Sequence, residues 1–331
     1  MKIEHAKSRC CGASIQRWGG KRRRCNQCFK TWRIRPKKRG PKAKRPPYAW
    51  LAKALLSGHY LKELPRKRSP RSIQALTYRF RLLLQRVSAC PSLIPPGQGP
   101  VVLLSDGLWF RFRKRRWVLY LTAFKPCAEN RAYFGDPLVL PGYECARGWR
   151  QVFDRLPPDI SKRICAWVVD NVTGIRTLAS QKGWVLQLCH FHLIAQLQNR
   201  RGHWRQALAG HQSRERIYQS IRQLLEMPSG PLFQTQLSHL QTALCDPLIP
   251  SRLRMIGTEL IRRLPHYRAY RDYAHWHLPT TTCTVESTGS LIRERLRRAR
   301  NLRTPQSLQL WATALLRVRK SIACNGRKPT K

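Results

Sequence analysis

The chain has 331 residues, of which 64 are lysine or arginine and only 16 are aspartate or glutamate, so its formal charge is +48. A hydrophobic share of 42% excludes a disordered basic tail, and the length predicts two or three domains. The charge indicates a polyanionic partner, and we expect double-stranded DNA. The sequence has neither an apolar run of about 18 residues nor an N-terminal secretory stretch, so we expect no membrane partner and a cytoplasmic, nucleoid-associated protein.

Residues 1–35 are predicted to form a small zinc ribbon. Cys25 and Cys28 make one Cys-x-x-Cys knuckle, in which two thiolates on a tight turn can share a tetrahedral ion. Cys11 is expected to supply a third thiolate from a second knuckle. Such a short segment holds too little apolar surface to fold without a metal.

The sequence offers two candidates for the fourth zinc ligand. Ser8 stands where the second knuckle should have its first cysteine, so either Cys10 or His5 completes the site. The alternative is a degenerate ribbon without metal. The remaining cysteines are scattered, which indicates a reducing compartment and not a disulfide framework.

A basic linker is predicted over residues 36–47, because proline, glycine and like charges cannot form a core. We expect it to lie along phosphates or in a minor groove, although a merely solvated linker would have the same composition. The cations expected to contact DNA in and beside it are Arg35, Lys37, Lys38, Arg39, Lys42, Lys44 and Arg45.

Residues 48–90 are predicted to form a DNA-binding region similar to a helix-turn-helix. Two short apolar stripes precede Ser69-Pro70, where a serine cap and a proline open a third, basic helix. Arg71 and Arg79 of that helix would reach the major groove. A plain three-helix connector would show the same pattern.

A Pro- and Gly-rich stretch then separates these helices from an α/β region. Residues 100–192 are predicted to be the first part of a catalytic core with a mixed sheet. Its strands are expected at 101–106, 116–124, 131–140, 164–170 and 184–188, with helices from Trp149 and over 174–182. Residues 193–279 are predicted to be a helical insertion. Residues 280–322 then complete the core with helices over 285–300 and 306–318.

Three carboxylates stand out in this acid-poor chain. Asp106 and Asp170 each follow an apolar strand, and Glu286 begins a helix. Strand-end aspartates on neighbouring strands can converge at one sheet edge, and carboxylates from several segments are what two Mg²⁺ ions need to cleave a phosphodiester. Each acid alone has a simpler explanation, as a turn cap or as a partner of the helix dipole.

Four segments resemble the Mutator-like class of bacterial insertion-sequence transposases, which carry a DDE triad on an RNase H-like fold. The first three are Ser105-Asp106-Gly107, Val168-Val169-Asp170-Asn171 and Cys189-His190-Phe191-His192. The fourth runs from Thr280 to Asn301 and includes Thr281, Thr282, Val285, Glu286, Leu291, Ile292, Arg293, Arg295, Leu296 and Arg297. The resemblance extends over roughly residues 100–315.

The resemblance implies a multidomain α/β protein with an RNase H-like mixed β-sheet and an all-helical insertion, preceded by the zinc ribbon and the helix-turn-helix-like region. It also implies that Asp106, Asp170 and Glu286 are the catalytic triad and bind two Mg²⁺ (or Mn²⁺) ions.

Cys189 and His192 match the family's Cys-x-x-His signature. Their spacing at a helix start lets both face the catalytic edge, and we expect them to support the structure or position the substrate. A second zinc site is the weaker alternative, since two ligands do not complete a tetrahedron. The helix that carries Glu286 is expected to meet phosphate through its arginines, namely Arg293, Arg295, Arg297 and Arg298.

The implied function is that of a transposase which binds terminal inverted repeats as a homo-oligomer and catalyses metal-dependent strand cleavage and strand transfer. Two other interpretations remain open. One is a non-catalytic DNA-binding protein derived from a transposase, and the other is an RNase H-like nuclease or resolvase that cuts without joining strands.

Overall fold

The structure is a computed structural model that describes residues 8, 10–18, 22–33, 73–91, 94–201, 210–298 and 304–324. The chain divides into two compact units, Met1–Ala49 and Trp50–Lys331. Within the described ranges, none of the helices combines the length and the apolar composition needed to cross a membrane.

The first unit contains a small antiparallel sheet. Its strands are β1 (Ile15–Arg17), β2 (Arg22–Cys25) and β3 (Thr31–Arg33), with β2 in the centre. The Trp18 ring is 47% exposed and lies 4.4 Å from the Arg24 guanidinium. This cation–π contact keeps the ring ordered at the surface.

A seven-stranded sheet forms the centre of the second unit. In chain order its strands are β4 (Val101–Phe112), β5 (Arg115–Pro126), β6 (Arg131–Phe134), β7 (Leu138–Pro141), β8 (Ile164–Val169), β9 (Val185–Leu188) and β10 (Ser321–Ala323). The hydrogen-bonded order is β10-β6-β5-β4-β8-β9, and β7 also pairs with β5. Since β4, β8 and β9 are parallel whereas β5 is antiparallel to β4, the predicted mixed sheet is confirmed.

Eleven helices are found in the part of the chain that the structure describes. They are α1 (Ile73–Ala89), α2 (Ala146–Phe153), α3 (Pro158–Arg163), α4 (Ile175–Gln181), α5 (His190–Arg201), α6 (His211–Glu226), α7 (Pro231–Ala243), α8 (Ser251–Arg262), α9 (Leu264–Asp272), α10 (Cys283–Arg298) and α11 (Pro305–Arg319). Helices α5 to α9 occupy the stretch predicted to be a helical insertion. The two short helices expected before Ser69 lie outside the described residues.

The strands differ from the prediction in two places. The first strand does not end at Asp106 but continues to Phe112, because its distal half pairs with β5 in a long hairpin. The strand expected over 131–140 is split into β6 and β7. Pro137 lies between them and has no N–H to donate to a ladder.

Alternate side chains of the strands face two hydrophobic layers. Leu103 and Trp167 belong to the layer completed by α2, α4 and the α5–α9 helices. Leu104 and Val168 belong to the other layer, which α10 and α11 cover. The face of the sheet on which a strand residue lies therefore decides which helices it meets.

Candidate active site

Asp106 and Asp170 are neighbours across the pair of parallel strands β4 and β8. The register pairs Leu104 with Val168, and continuing it by two residues brings Asp106 opposite Asp170, the residue that follows β8. Neighbouring strands are about 4.8 Å apart, and residues two apart share a face. Both aspartates are thus placed on the side of the sheet that α10 and α11 cover.

Glu286 reaches this face because α10 packs tightly against β4. A Cβ atom on Gly289 would lie 2.8 Å from Leu108 Cδ2, so a larger residue there would require the Leu108 side chain to shift. Glu286 lies in the first turn of α10, before this contact. Its Oε1 accepts a hydrogen bond of 2.5 Å from Thr282 Oγ1, which fixes the carboxylate.

The buried carboxylates raise one another's proton affinity. Asp106 is 7% exposed. Its burial raises the pKa of the carboxyl from 3.8 to about 6, with Glu286 and Asp170 adding to the rise while His192 and Arg293 oppose it. The three predicted acids are therefore close enough to interact electrostatically, but His192 and Arg293 more than offset Glu286 and Asp170, so desolvation accounts for the raised pKa of Asp106.

Cys189 and His192 converge on Glu286, as their spacing predicted. The Cys189 thiol lies 3.8 Å from Glu286 Oε1 and 3.3 Å from the Thr282 hydroxyl. His192 Nδ1 lies 3.3 Å from Glu286 Oε1. Ligand atoms of Cys189, His192 and Glu286 all lie within 4.8 Å of one another. Glu286 thus adds a third possible metal ligand to the two that the sequence indicated.

The groups around His192 favour its protonated form. Burial lowers the pKa of its imidazole, but a hydrogen bond with Cys189 and the charges of Asp170 and Glu286 outweigh this effect and raise it to about 10. His190, in contrast, is partly buried and bonds the Tyr267 carbonyl oxygen through Nε2 at 2.6 Å. His190 is therefore a structural residue.

Sequence reasoning missed Glu144. A Cβ atom on Gly107 would lie 2.4 Å from the Glu144 carboxyl group, so the glutamate packs directly over that glycine. Burial and then the charge of Asp106 raise the pKa of Glu144 to about 7, and the Trp149 indole N–H donates to its Oε1 at 3.0 Å. Glu144 follows an irregular loop, so no strand or helix pattern indicated it.

Asp170 is tied to the helical region through Asn171. The Asn171 backbone N–H donates to Asp170 Oδ1 at 2.6 Å, and the Arg263 guanidinium donates to the Asn171 side-chain oxygen. Arg263, between α8 and α9, is also ion-paired with Glu259. The helices after α5 thus help to hold the loop that carries Asp170.

The four cysteines of the first unit form a second ligand cluster. The Sγ atoms of Cys10 and Cys28 are 3.1 Å apart, those of Cys11 and Cys25 are 3.2 Å apart, and all four lie within 4.8 Å of one another. In a tetrahedral zinc site with Zn–S bonds of about 2.3 Å the sulfur atoms are about 3.8 Å apart. This four-cysteine cluster could therefore hold zinc, with Cys10 as fourth ligand, whereas His5 lies outside the described residues.

Ser8 contacts the four-cysteine cluster through Cys11. It is buried, its hydroxyl lies 3.5 Å from Cys11 Sγ, and it accepts the Cys11 backbone N–H at 3.4 Å. The backbone N–H of Cys28 and the Ser8 hydroxyl lower the pKa of Cys25 to about 5. In the same cluster the Lys30 backbone N–H lowers the pKa of Cys28, but contact with Cys10 and desolvation outweigh it and raise that pKa, so the four thiols do not ionise alike.

The predicted DNA-contacting cations are only partly described. Arg293 is exposed on α10 and close enough to Asp106 to influence its pKa. Arg295, Arg297 and Arg298 lie in α10, and Arg79 lies in α1, but the structure describes only their backbone positions. The following residues lie outside the described ranges: Arg35, Lys37, Lys38, Arg39, Lys42, Lys44, Arg45 and Arg71.

Comparison with known proteins gives no family for this chain. No family model matches it, and no curated protein matches it at a significant level.

Proposed function

We propose that this protein is a DDE transposase of a bacterial insertion sequence, which binds the inverted repeats at the element's ends and catalyses strand cleavage and strand transfer. The observation that carries the proposal is the convergence of Asp106, Asp170 and Glu286, from three distant segments, on one face of the sheet in a chain of charge +48. The mixed sheet with its helical region between Asp170 and Glu286 supports an RNase H-like core.

The donor set fits Mg²⁺ or Mn²⁺. Asp106, Asp170 and Glu286 offer carboxylate oxygens, which hard divalent cations prefer, and burial of Asp106 raises its pKa, so a bound cation would stabilise its ionised form. These three residues would hold the metal. Two bound ions would supply activation of the attacking oxygen and stabilisation of the leaving oxygen.

The chain's own residues orient this donor set and bind the substrate phosphate. Thr282 holds the Glu286 carboxylate in one rotamer by its short hydrogen bond, and Cys189 packs against both. The protonated His192 limits repulsion between Glu286 and an incoming phosphate. Arg293 lies two turns after Glu286 on the same helix and is exposed, so it can reach a phosphate oxygen.

Recognition of the DNA ends is assigned to the N-terminal part. The four-cysteine cluster would hold Zn²⁺ and stabilise the small sheet of the first unit, and the basic linker and α1 would contribute contacts. Because a transposase must bring both ends of its element together, we expect it to work on DNA as a homo-oligomer. A protein of this function acts on the bacterial chromosome, in the cytoplasm.

The proposal is tested on a plasmid that carries the inverted repeats flanking the coding region. Asp106→Ala, Asp170→Ala and Glu286→Gln should each abolish cleavage and strand transfer and leave binding to the repeats intact. Glu294→Gln is the matched control, because Glu294 lies on the same helix but is exposed, and it should stay active.

The products distinguish the alternatives. Cleaved ends without joined products would support a nuclease or resolvase, and selective binding without cleavage by the wild-type protein would support the non-catalytic interpretation. Cleavage by any one of the three variants would remove that residue from the catalytic set.

A further inference from the structure

A basic hairpin extends beyond the parallel part of the sheet. β4 and β5 stay paired out to Phe112 and Arg115, whereas the register of β4 with β8 ends at Leu104. The tip carries five exposed cations within six residues, namely Arg111, Arg113, Lys114, Arg115 and Arg116. The proposed function leaves this concentration of charge, in the hairpin whose first strand bears Asp106, without a role.

The turn at the tip keeps cations in an unfavourable backbone conformation. Arg113 and Lys114 have φ angles of 47° and 66°, and a two-residue hairpin turn of this kind favours Asn-Gly. Side chains other than glycine or asparagine pay a conformational penalty there. Strain of this kind is found where the side chain itself is needed for function.

Two aromatic rings stand beside the hairpin. Trp109 is 41% exposed and Tyr143 is 58% exposed, with ring centroids 5.1 Å apart at an angle of 66°. The Arg116 guanidinium lies 4.6 Å from the centre of the Tyr143 ring. The loop before Tyr143 is fastened to β5, because the Gly142 N–H donates to the Arg116 carbonyl oxygen at 2.9 Å. The rings are thus exposed and held in place.

This aromatic and basic surface adjoins the carboxylates. Trp109 follows Asp106 by three residues on β4, about 10 Å along the strand, and because side chains alternate it lies on the opposite face of the sheet from Asp106. Glu144, the neighbour of Tyr143 in sequence, packs on Gly107 and interacts electrostatically with Asp106. Because β8 ends at Val169, one residue after its pair with Leu104, a DNA strand with a phosphate at Asp106 can cross this edge of the sheet to the face that carries Glu144 and the rings.

We propose that the β4–β5 hairpin binds an unpaired DNA strand next to the cleavage position, with Trp109 and Tyr143 stacking on bases and the tip cations contacting phosphates. Exposed rings interleaved with cations are the chemistry that recognises single-stranded nucleic acid. In a closed duplex the faces of the bases are covered by their neighbours, so these rings favour an end that has opened. The inference rests on the proposed function in that the DNA strand would be the one cut at Asp106.

The test uses the full chain without divalent metal ions, so that it does not depend on cleavage. The probe is a short single-stranded oligonucleotide with a central 2-aminopurine, whose fluorescence is quenched by stacking. The wild-type protein should quench it. Trp109→Leu and Tyr143→Leu should each lose quenching and bind roughly 5- to 100-fold more weakly, as expected for the loss of one stacked base.

A second variant separates charge from stacking and should fold at least as well as the wild type. Arg113→Asn with Lys114→Gly gives the turn its preferred residues. It should keep quenching at saturation and make the salt dependence of binding shallower by about 1.4 in the slope of log K against log salt, at about 0.7 per lost phosphate contact. Lys162→Gln with Arg252→Gln removes two exposed cations from α3 and α8 and should leave both readouts unchanged.

Unchanged quenching and affinity in both leucine variants would overturn the inference, as would an equal loss of affinity for a fully paired duplex, which would show that the rings contact DNA whether or not its bases are paired. These outcomes are independent of the proposed function. If the wild-type protein cleaves the inverted repeats but the hairpin variants bind the probe normally, only the inference fails. If the probe behaves as expected but no cleavage is found, only the catalytic proposal fails.

Discussion

Replacing Asp106 by asparagine should stabilise the metal-free protein. The carboxyl is almost fully buried and its pKa rises from 3.8 to about 6, because desolvation outweighs the opposing charges of His192 and Arg293. At about 1.4 kcal/mol per pH unit, this rise means that the ionised carboxylate costs up to roughly 3 kcal/mol of folding free energy at neutral pH. Asparagine has nearly the same shape and no charge, so it removes this cost.

The raised pKa of Asp106 also decides how the stability of the wild-type protein changes with pH. Between pH 3.8 and about 6 the folded protein holds a proton on Asp106 that the unfolded chain has released, so the stability of the wild-type protein falls as pH rises through this window. The Asp106→Asn variant lacks this fall. Its advantage should therefore be largest above pH 6 and disappear below about pH 4.

The assay is urea unfolding of the full chain in EDTA at several pH values, compared with the control Asp272→Asn. Asp272 is exposed at the end of α9, so the control should change stability by less than about 0.5 kcal/mol. Adding Mg²⁺ should stabilise the wild-type protein and not the Asp106→Asn variant. An Asp106→Asn variant that is less stable than wild type at pH 7 in EDTA would refute the argument that a buried, desolvated carboxylate is kept there for metal binding.

Three further outcomes are expected. Thr282→Val should lower the cleavage rate roughly 10- to 100-fold without weakening DNA binding, because it removes one hydrogen bond to a charged group; Thr282→Ser should restore the rate, and a failure to do so would point to packing. Binding to DNA should weaken steeply with salt, while selectivity for the inverted repeats should reside in residues 1–88, so a fragment that begins near Pro100 and binds as selectively as the full chain would contradict this. Elemental analysis of the fragment 1–45 should find one zinc ion per chain, lost after Cys25→Ser; a content well below one ion would mean a degenerate ribbon.

The sequence by itself indicated the elements whose signals are local. Apolar runs predicted the strands around Leu104, Val168 and Leu186, and the Cys-x-x-Cys spacing and the acid-poor background singled out the ligand candidates. These signals can be recognised without tertiary information, because strand periodicity and metal-ligand spacing depend only on residues that are close in sequence. The sequence also predicted that Cys189 and His192 face one way, since residues three apart share a helix face.

Only the tertiary structure shows which residues that are distant in sequence are in contact. The sequence could not show that the first strand passes Asp106 and continues into a long hairpin, because pairing with β5, far from the strand's apolar start, is what extends it. It gave no sign of Glu144, which an irregular loop brings to Gly107, or of the approach of Gly289 to Leu108 that carries Glu286 to the sheet. Such contacts join distant segments, so their energy depends on packing and not on local propensity, and no pattern in a single sequence records it.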